Sequence, residues 1–247
     1  MKNIAVVCDV MKNDFLGIVK SRNINNLDFI FMEQQLHNTP DIMRQKLQEE
    51  IDKIDNSYRN IILGYGLCSN GVAGLTSESS GIIIPKVDDC ISLFLGSKEK
   101  YLEEFKKDPA TYYLCKGWIE YGGDPYRGYL LWTGKEDKIP REWLRGKERY
   151  GLRKYDEKTA RILVAELLKN YKRIVLINNN NIEEIHRKYV NDMITFLNEI
   201  LDRQMIFEEI EGSSSYIEKL ASGYWKPDNN FRGINPKEKI LQEYFFK

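Results

Sequence analysis

Ile61-Ile62-Leu63-Gly64-Tyr65-Gly66-Leu67-Cys68-Ser69-Asn70-Gly71 is a short apolar run that passes straight into a glycine-rich turn carrying a thiol. A continuous apolar run without polar alternation is the pattern of a strand covered on both faces, as in a parallel sheet. The pattern returns within twenty residues as Gly81-Ile82-Ile83-Ile84-Pro85, followed by Lys86-Val87-Asp88-Asp89-Cys90. Gly64, Gly66 and Gly71 allow either a positive φ or the close approach of another group.

Working outward, Lys2 to Val7 reads as a strand that ends at Cys8-Asp9, with a weaker helical stretch near 12 to 20. Leu27 to Met32 reads as a second strand, with Gln34-Gln35-Leu36-His37 as the loop after it. Thr39 and Pro40 open a helix over about 40 to 55, with Ile42, Met43, Leu47, Ile51 and Ile54 on its buried face. A short helix is expected over 71 to 78. Asp89 is placed to cap a helix through Leu95, and Ser97 one from Lys98 to Lys107. Thr111 to Leu114 is the fifth strand, ending at Cys115.

From Ile119 to Tyr155, glycines alternate with Tyr, Trp and charge, which reads as an irregular excursion with one helix near 140 to 149. Asp156 then caps a helix with Ala160, Ile162, Leu163, Leu167 and Leu168 on one face. Strands follow at Arg173 to Ile177 and Gln204 to Ile210, separated by a helix from Glu183 to Asp202. Gly212-Ser213-Ser214-Ser215 opens another helix to Ala221, and the tail with Trp225 and Tyr244-Phe245-Phe246 is expected to order by docking. Strands alternating with helices predict an α/β fold, a mostly parallel sheet or sheets with helices on both faces, in one body or two lobes. The chain divides into an α/β block over 1–118, the excursion over 119–155, and a second α/β block with the tail over 156–247.

At 247 residues there is material for one large domain or two small ones. Lys plus Arg and Asp plus Glu both number 37, so net charge is zero and a broad nucleic-acid surface is not expected. No apolar run approaches the ~20 residues that span a bilayer, and the first ten residues lack a cleavage pattern. A cytoplasmic protein without a membrane role is the expectation. The four cysteines then read as free thiols or metal ligands, although no CxxC pair is present.

In parallel sheets ligands bind beyond the carboxyl ends of the strands. Cys8, His37, Cys68 and Cys90 all fall in such loops. Neighbouring strands lie about 4.8 Å apart, so these side chains can meet around one ion. Three sulfurs and one imidazole suit zinc, or an iron–sulfur cluster with another thiol in place of the histidine. Asp89 can orient the histidine, and Gly64, Tyr65 and Gly66 would let a cofactor or small-molecule ligand come close.

Each of these residues also has a plainer reading. A cysteine at a strand end is more often a small buried hydrophobe, His37 can bond local backbone, and Asp89 can be only a cap. Cys115 reads as packing and His186 as a solvated surface residue. Asn178 to Asn181 and Ser213 to Ser215 either bind ligand or cap helices. The basic run Arg141, Arg145, Lys147, Arg149, Arg153 and Lys154, with Trp143 and Tyr150, is more often a solvated face than an anion-binding one. The glycine loop lacks the GxGxxG and Gly-Lys-Ser/Thr patterns of phosphate loops.

The set Gly64-Tyr65-Gly66-Leu67-Cys68, Asp89-Cys90-Ile91, Leu95-Gly96-Ser97, Tyr101, Tyr112-Tyr113 and Gly117-Trp118-Ile119 resembles the uncharacterised family called domain of unknown function sixteen-thirty-eight. Cys8, Leu36-His37 with Pro40, and Gly212, Leu220, Gly223 and Trp225 extend the resemblance along most of the chain. It implies a setting in anaerobic bacteria and methanogens, near corrinoid-dependent methyltransferases and corrinoid proteins. It supplies no reaction. The sequence departs from the family pattern at Cys115, where a threonine-proline turn is usual, and at Gly233-Ile234-Asn235-Pro236, where a proline-glycine turn is usual.

The expectation is therefore a zinc or iron–sulfur protein acting in or beside corrinoid-dependent methyl-group metabolism, as a methyltransferase or an electron-supplying accessory. Two alternatives stand beside it. One is a non-catalytic partner of a corrinoid protein or methyltransferase that binds through 119–155. The other is a metal-free enzyme that holds a small anion at the Gly64–Gly71 loop.

Overall fold

A computed structural model of the chain describes residues 1–144, 154–226 and 228–246. Its strands are β1 (Lys2–Cys8), β2 (Leu27–Met32), β3 (Tyr58–Gly64), β4 (Gly81–Pro85), β5 (Thr111–Leu114), β6 (Arg173–Asn178), β7 (Ile206–Glu211) and β8 (Phe231–Ile234). Its α-helices are α1 (Lys12–Ser21), α2 (Pro40–Ile51), α3 (Cys90–Leu95), α4 (Lys98–Lys107), α5 (Lys116–Tyr121), α6 (Pro125–Trp132), α7 (Glu157–Leu168), α8 (Glu184–Leu201) and α9 (Ser215–Ser222). The fold is α/β with two mostly parallel sheets and helices around them. The chain forms two compact units, Met1–Tyr101 with Ser213–Lys247, and Leu102–Gly212. These bounds differ from the sequence division at 118 and 155.

The first unit carries the order β2-β1-β3-β4-β8, parallel except for β8. Ile4, Val6, Ile61, Leu63, Ile82 and Ile84 face α2, whose Met43, Leu47 and Ile51 are buried against them. The alternate residues Ala5, Val7, Ile62 and Ile83 are buried on the opposite face, where α9 meets β3 and α1. With both faces covered, no polar alternation is needed, and each buried Ile or Leu contributes roughly 1.5–3 kcal/mol.

Three expectations for this unit are corrected. Ile42 is exposed at 48%, so the buried stripe of α2 is narrower than read. Residues 71 to 78 form turns rather than a helix; Val72 and Leu75 are the only large apolar side chains buried there, too few for a helical face. The tail is integral: β8 pairs antiparallel with β4, and Ile240, Tyr244 and Phe245 lie in the core. Four residues containing a glycine carry little strand signal. The open edge of β4 supplies the hydrogen bonds that make them one.

The second unit has the parallel order β5-β6-β7. The part of 119–155 that is described is ordered core, not an irregular excursion. Pro125 sits at the start of α6, and the Asp124 carboxylate accepts the Arg127 N–H at 2.9 Å as its cap. Tyr126, Tyr129, Leu130, Leu131 and Trp143 are buried. The helix expected over 140 to 149 is a 3-10 turn at Arg141–Leu144; its remainder, with Arg145, Lys147, Arg149, Tyr150 and Arg153, lies outside the described residues. On α7 the buried face is Ala160, Val164 and Leu168, while Ile162 and Leu167 are exposed.

His186 is buried at 1% exposure, against the solvated reading. Its Nδ1 accepts the Glu183 N–H at 3.0 Å, its Nε2 meets Glu120 at 3.1 Å, and Trp143 stacks on its ring. Arg173 and Glu104 form a buried pair at 2.7 Å, with Glu208 joining the same guanidinium. No helix among the described residues is long and apolar enough to cross a membrane.

Candidate functional site

The strand order of the first unit creates a crevice. The connection from β1 leads to β2 on one side, and the connection from β2 crosses back to β3 on the other. The direction reverses between β1 and β3, where the loops part beyond the carboxyl ends. Cys8 closes β1 at that point, opposite Met32 of β2.

The loop after β3 is bound to the loop after β4. The Leu67 N–H donates to the Val87 carbonyl and the Cys68 N–H to the Asp88 carbonyl, each at 2.9 Å. Gly66 permits this: a methyl there would lie 2.7 Å from the Asp89 nitrogen and 2.8 Å from its Cα. A methyl at Gly64 would press on Val7 of β1 at 3.0 Å, and one at Gly71 on the Met43 sulfur at 2.5 Å. Of the two uses foreseen for these glycines, close approach is the one found.

Left-handed backbone falls instead on Cys68, Ser69 and Asn70, with φ of 47°, 55° and 69°. Such conformations are disfavoured by roughly 1–2 kcal/mol for an ordinary residue. Arg44 of α2 holds the turn, donating to the Asn70 carbonyl at 2.8 Å and the Ala73 carbonyl at 2.6 Å. After β2, Gln35 is also left-handed at φ 67° and leads into a 3-10 turn that carries His37. After β4, Asp89 caps α3 by accepting the Ile91 N–H at 2.9 Å, which makes Cys90 the first residue of that helix.

These loops converge. Cys8, Glu33, Gln35, Leu36, His37, Met43, Tyr65, Cys68 and Cys90 line one cavity of about 20 Å³, room for a single water-sized atom. None of the three cysteines is in a disulfide and each is half-buried, and His37 is exposed at the rim. Burial pushes the Cys68 thiol far up, and the charges of Asp89 and Cys8 add to it. The Tyr65 phenol is raised by burial and then by Cys8, Cys68, Asp9 and Cys90, which places it in the field of all three thiols. Its hydroxyl is buried without a hydrogen-bond partner among the described residues. Desolvation lowers the His37 pKa, which favours the neutral ring that ligates metals. Burial raises the Asp89 carboxyl to about 6, against the backbone N–H groups of Ile91 and Ser92 that pull it down.

The donor set suits zinc in chemistry and the cavity suits a single ion in size. As they stand, however, no three His, Cys, Asp or Glu side chains among the described residues are grouped to hold a metal ion. Gly64, Gly66 and Asp89 shape the wall but do not line the cavity. Cys115 is buried at 3% exposure in the other unit.

The serine cluster is absorbed by packing. The Ser213 N–H donates to the Phe94 carbonyl at 2.9 Å, and the Ser215 hydroxyl to the Gly96 carbonyl at 3.0 Å. Asn178 accepts from the N–H groups of Asn181 and Ile182 and donates to Glu209. Sequence reasoning missed Glu33, Gln35 and Met43. Glu33 and Gln35 sit in the same loop as His37, so strand-end position was a signal available for them. Met43 read only as core.

Residues 31–221 match the model of a family described as "Protein of unknown function (DUF1638)". That span holds His37, Tyr65, Cys68 and Cys90 and leaves Cys8 outside. No curated protein and no solved structure matches the chain.

Proposed function

The chain belongs to this family, and on that premise we propose that it holds one zinc ion at the carboxyl edge of its first sheet. The donors would be Cys8, Cys68 and Cys90, with His37 as the fourth. The observation that carries the reading is that side chains from four separate strand-end loops line a cavity one atom wide. An iron–sulfur centre has weaker support, because a multi-atom cluster exceeds that space.

A zinc ion held there would keep the ligating thiolates charged at neutral pH, and activating a thiol for methyl transfer would need that thiol to take the fourth position in place of His37. The chain's own part is to bring the donors together and exclude bulk water. Burial keeps the Cys68 proton in place while no cation compensates the charge. To ligate one ion the thiols would have to turn toward it, since as they stand no three donors among the described residues are grouped around one. A role in or beside corrinoid-dependent methyl-group metabolism belongs to the same proposal and rests on the family resemblance alone.

Elemental analysis of anaerobically purified protein tests this. About one zinc per chain is expected, lost in Cys68→Ala and in Cys90→Ala. Metal content unchanged by both substitutions, or no metal at all, overturns it.

The two alternatives have less behind them. A partner surface over 119–155 was read from aromatic and basic residues, but Trp143 is buried at 4% exposure. An anion at the glycine loop needs free amides, but those of Leu67, Cys68 and Gly71 are already bonded to carbonyls.

A further inference from the structure

Cys8 and Tyr65 are lateral neighbours. Val7 of β1 pairs with Gly64 of β3, so the next residues along each chain, Cys8 and Tyr65, stand side by side on adjacent strands, which lie about 4.8 Å apart. Both pack into the core on the α2 side of the sheet, and both line the cavity. Tyr65 is buried at 4% exposure, and its hydroxyl has no hydrogen-bond partner among the described residues. A buried hydroxyl left this way is destabilising, so its place beside a cavity lined by three cysteines points to an acceptor that enters the cavity. We propose that Cys8 is an oxidation site: a hydroperoxide converts its thiol to a sulfenic acid, whose oxygen fills the cavity and accepts a hydrogen bond from the Tyr65 hydroxyl. This goes beyond the zinc reading and does not rest on it, since an ion and an added oxygen are alternative occupants of one space.

The Cys8 sulfur attacks the outer oxygen of the hydroperoxide. An S–O bond forms, the O–O bond breaks, and its electron pair leaves on the departing oxygen. That oxygen takes the proton the thiol gives up and leaves as an alcohol or water. The sulfur is oxidised, the peroxide is reduced, and no other co-reactant is needed. Cys8 is half-buried, which gives the peroxide access. The cavity of about 20 Å³ has room for one added oxygen and not for the two of a sulfinic acid. A water alone suits it poorly. Water needs about two to four polar partners, and Cys8, Leu36, Met43, Cys68 and Cys90 present carbon and sulfur to the space. A sulfenic oxygen is held by its own sulfur and needs a single donor, which Tyr65 supplies.

Full-length protein is purified anaerobically, stripped of metal with a chelator and treated with hydrogen peroxide. Dimedone, added after increasing delays, traps sulfenic acid, and the adducts are mapped by peptide mass. The expected result is a dimedone adduct on Cys8. In Tyr65→Phe the trappable species is expected to last about tenfold less long, the worth of one hydrogen bond. The untreated variant melts no lower than wild type, since its hydroxyl has no partner to lose. No adduct, or adducts on Cys68, Cys90 or Cys115 in preference to Cys8, overturn the inference. So does a mass loss of about 2 Da, the mark of a disulfide. An equal lifetime in Tyr65→Phe overturns it by leaving the hydroxyl to a bound water. A melting point several degrees lower overturns it by revealing a structural partner. None of these outcomes touches the zinc reading, which metal content decides.

Discussion

Replacing Gly66 with alanine probes the contact that brings the thiol loops together. The new methyl would lie 2.7 Å from the Asp89 nitrogen, 2.8 Å from its Cα and 2.9 Å from the Asp88 carbonyl carbon. All three are backbone atoms, so no side chain can swing aside. Ordinary contact begins at 3.4 Å, and the two loops must therefore part by about 0.7 Å. Two amide hydrogen bonds of 2.9 Å span that gap, from Leu67 to Val87 and from Cys68 to Asp88. Overpacking of this kind is destabilising by roughly 1–3 kcal/mol, and each weakened hydrogen bond adds up to about 1 kcal/mol. A loss near 3 kcal/mol is expected in urea denaturation followed by circular dichroism. Zinc content should fall with it, because Cys68 moves away from Cys90. Gly66→Ala protein within 0.5 kcal/mol of wild type, with unchanged zinc, would refute the reasoning.

Gly17→Ala is the matched control: it lies in α1 with nothing within 4 Å of the added methyl, so about 0.5–1 kcal/mol of added stability is expected in the same assay. Arg173→Met takes the buried guanidinium away from Glu104 and leaves that carboxylate only its ion pair with the exposed Lys107, and a loss of up to about 3 kcal/mol is expected. Replacing Arg173 and Glu104 together by apolar residues should recover much of it. Asp89 supplies a pH test on the metal-free protein. Its folded-state carboxyl near 6 binds a proton more tightly than the unfolded one. Its contribution is therefore fully present below about pH 4 and is lost as pH rises through 6. Wild-type stability relative to Asp89→Asn should fall over that window by up to about 3 kcal/mol. A flat difference between pH 4 and 7 would contradict the assignment.

Much of the architecture was legible locally. Continuous apolar runs such as Ile61–Leu63 and Ile82–Ile84 can be satisfied only by a strand buried on both faces. Asp89, Ser97 and Asp156 announce their helices because a side-chain oxygen before an apolar run answers the unpaired N–H groups of a first turn. The thiols and His37 could be named because they fall at strand ends or in the loops that follow them. Other features carry no local mark. Polar residues on helices count against burial, so His186 read as solvated, although Glu183, Glu120 and Trp143 together give it a buried place. Helical spacing likewise could not show that Ile42, Ile162 and Leu167 fall just outside their buried stripes.

The sequence by itself determined the α/β class, most strands and caps, the family, and the residue types available for a site. Tertiary structure alone decided that β1 lies between β2 and β3, which sets Cys8 beside the turn of Cys68. It also decided that β8 closes the edge of β4, and that the excursion becomes core of a second unit. Strand order and edge pairing have no local code, because they follow from the sum of contacts among segments far apart in the chain. A residue's chemistry is written where it stands in the sequence, and its neighbours are chosen by that sum.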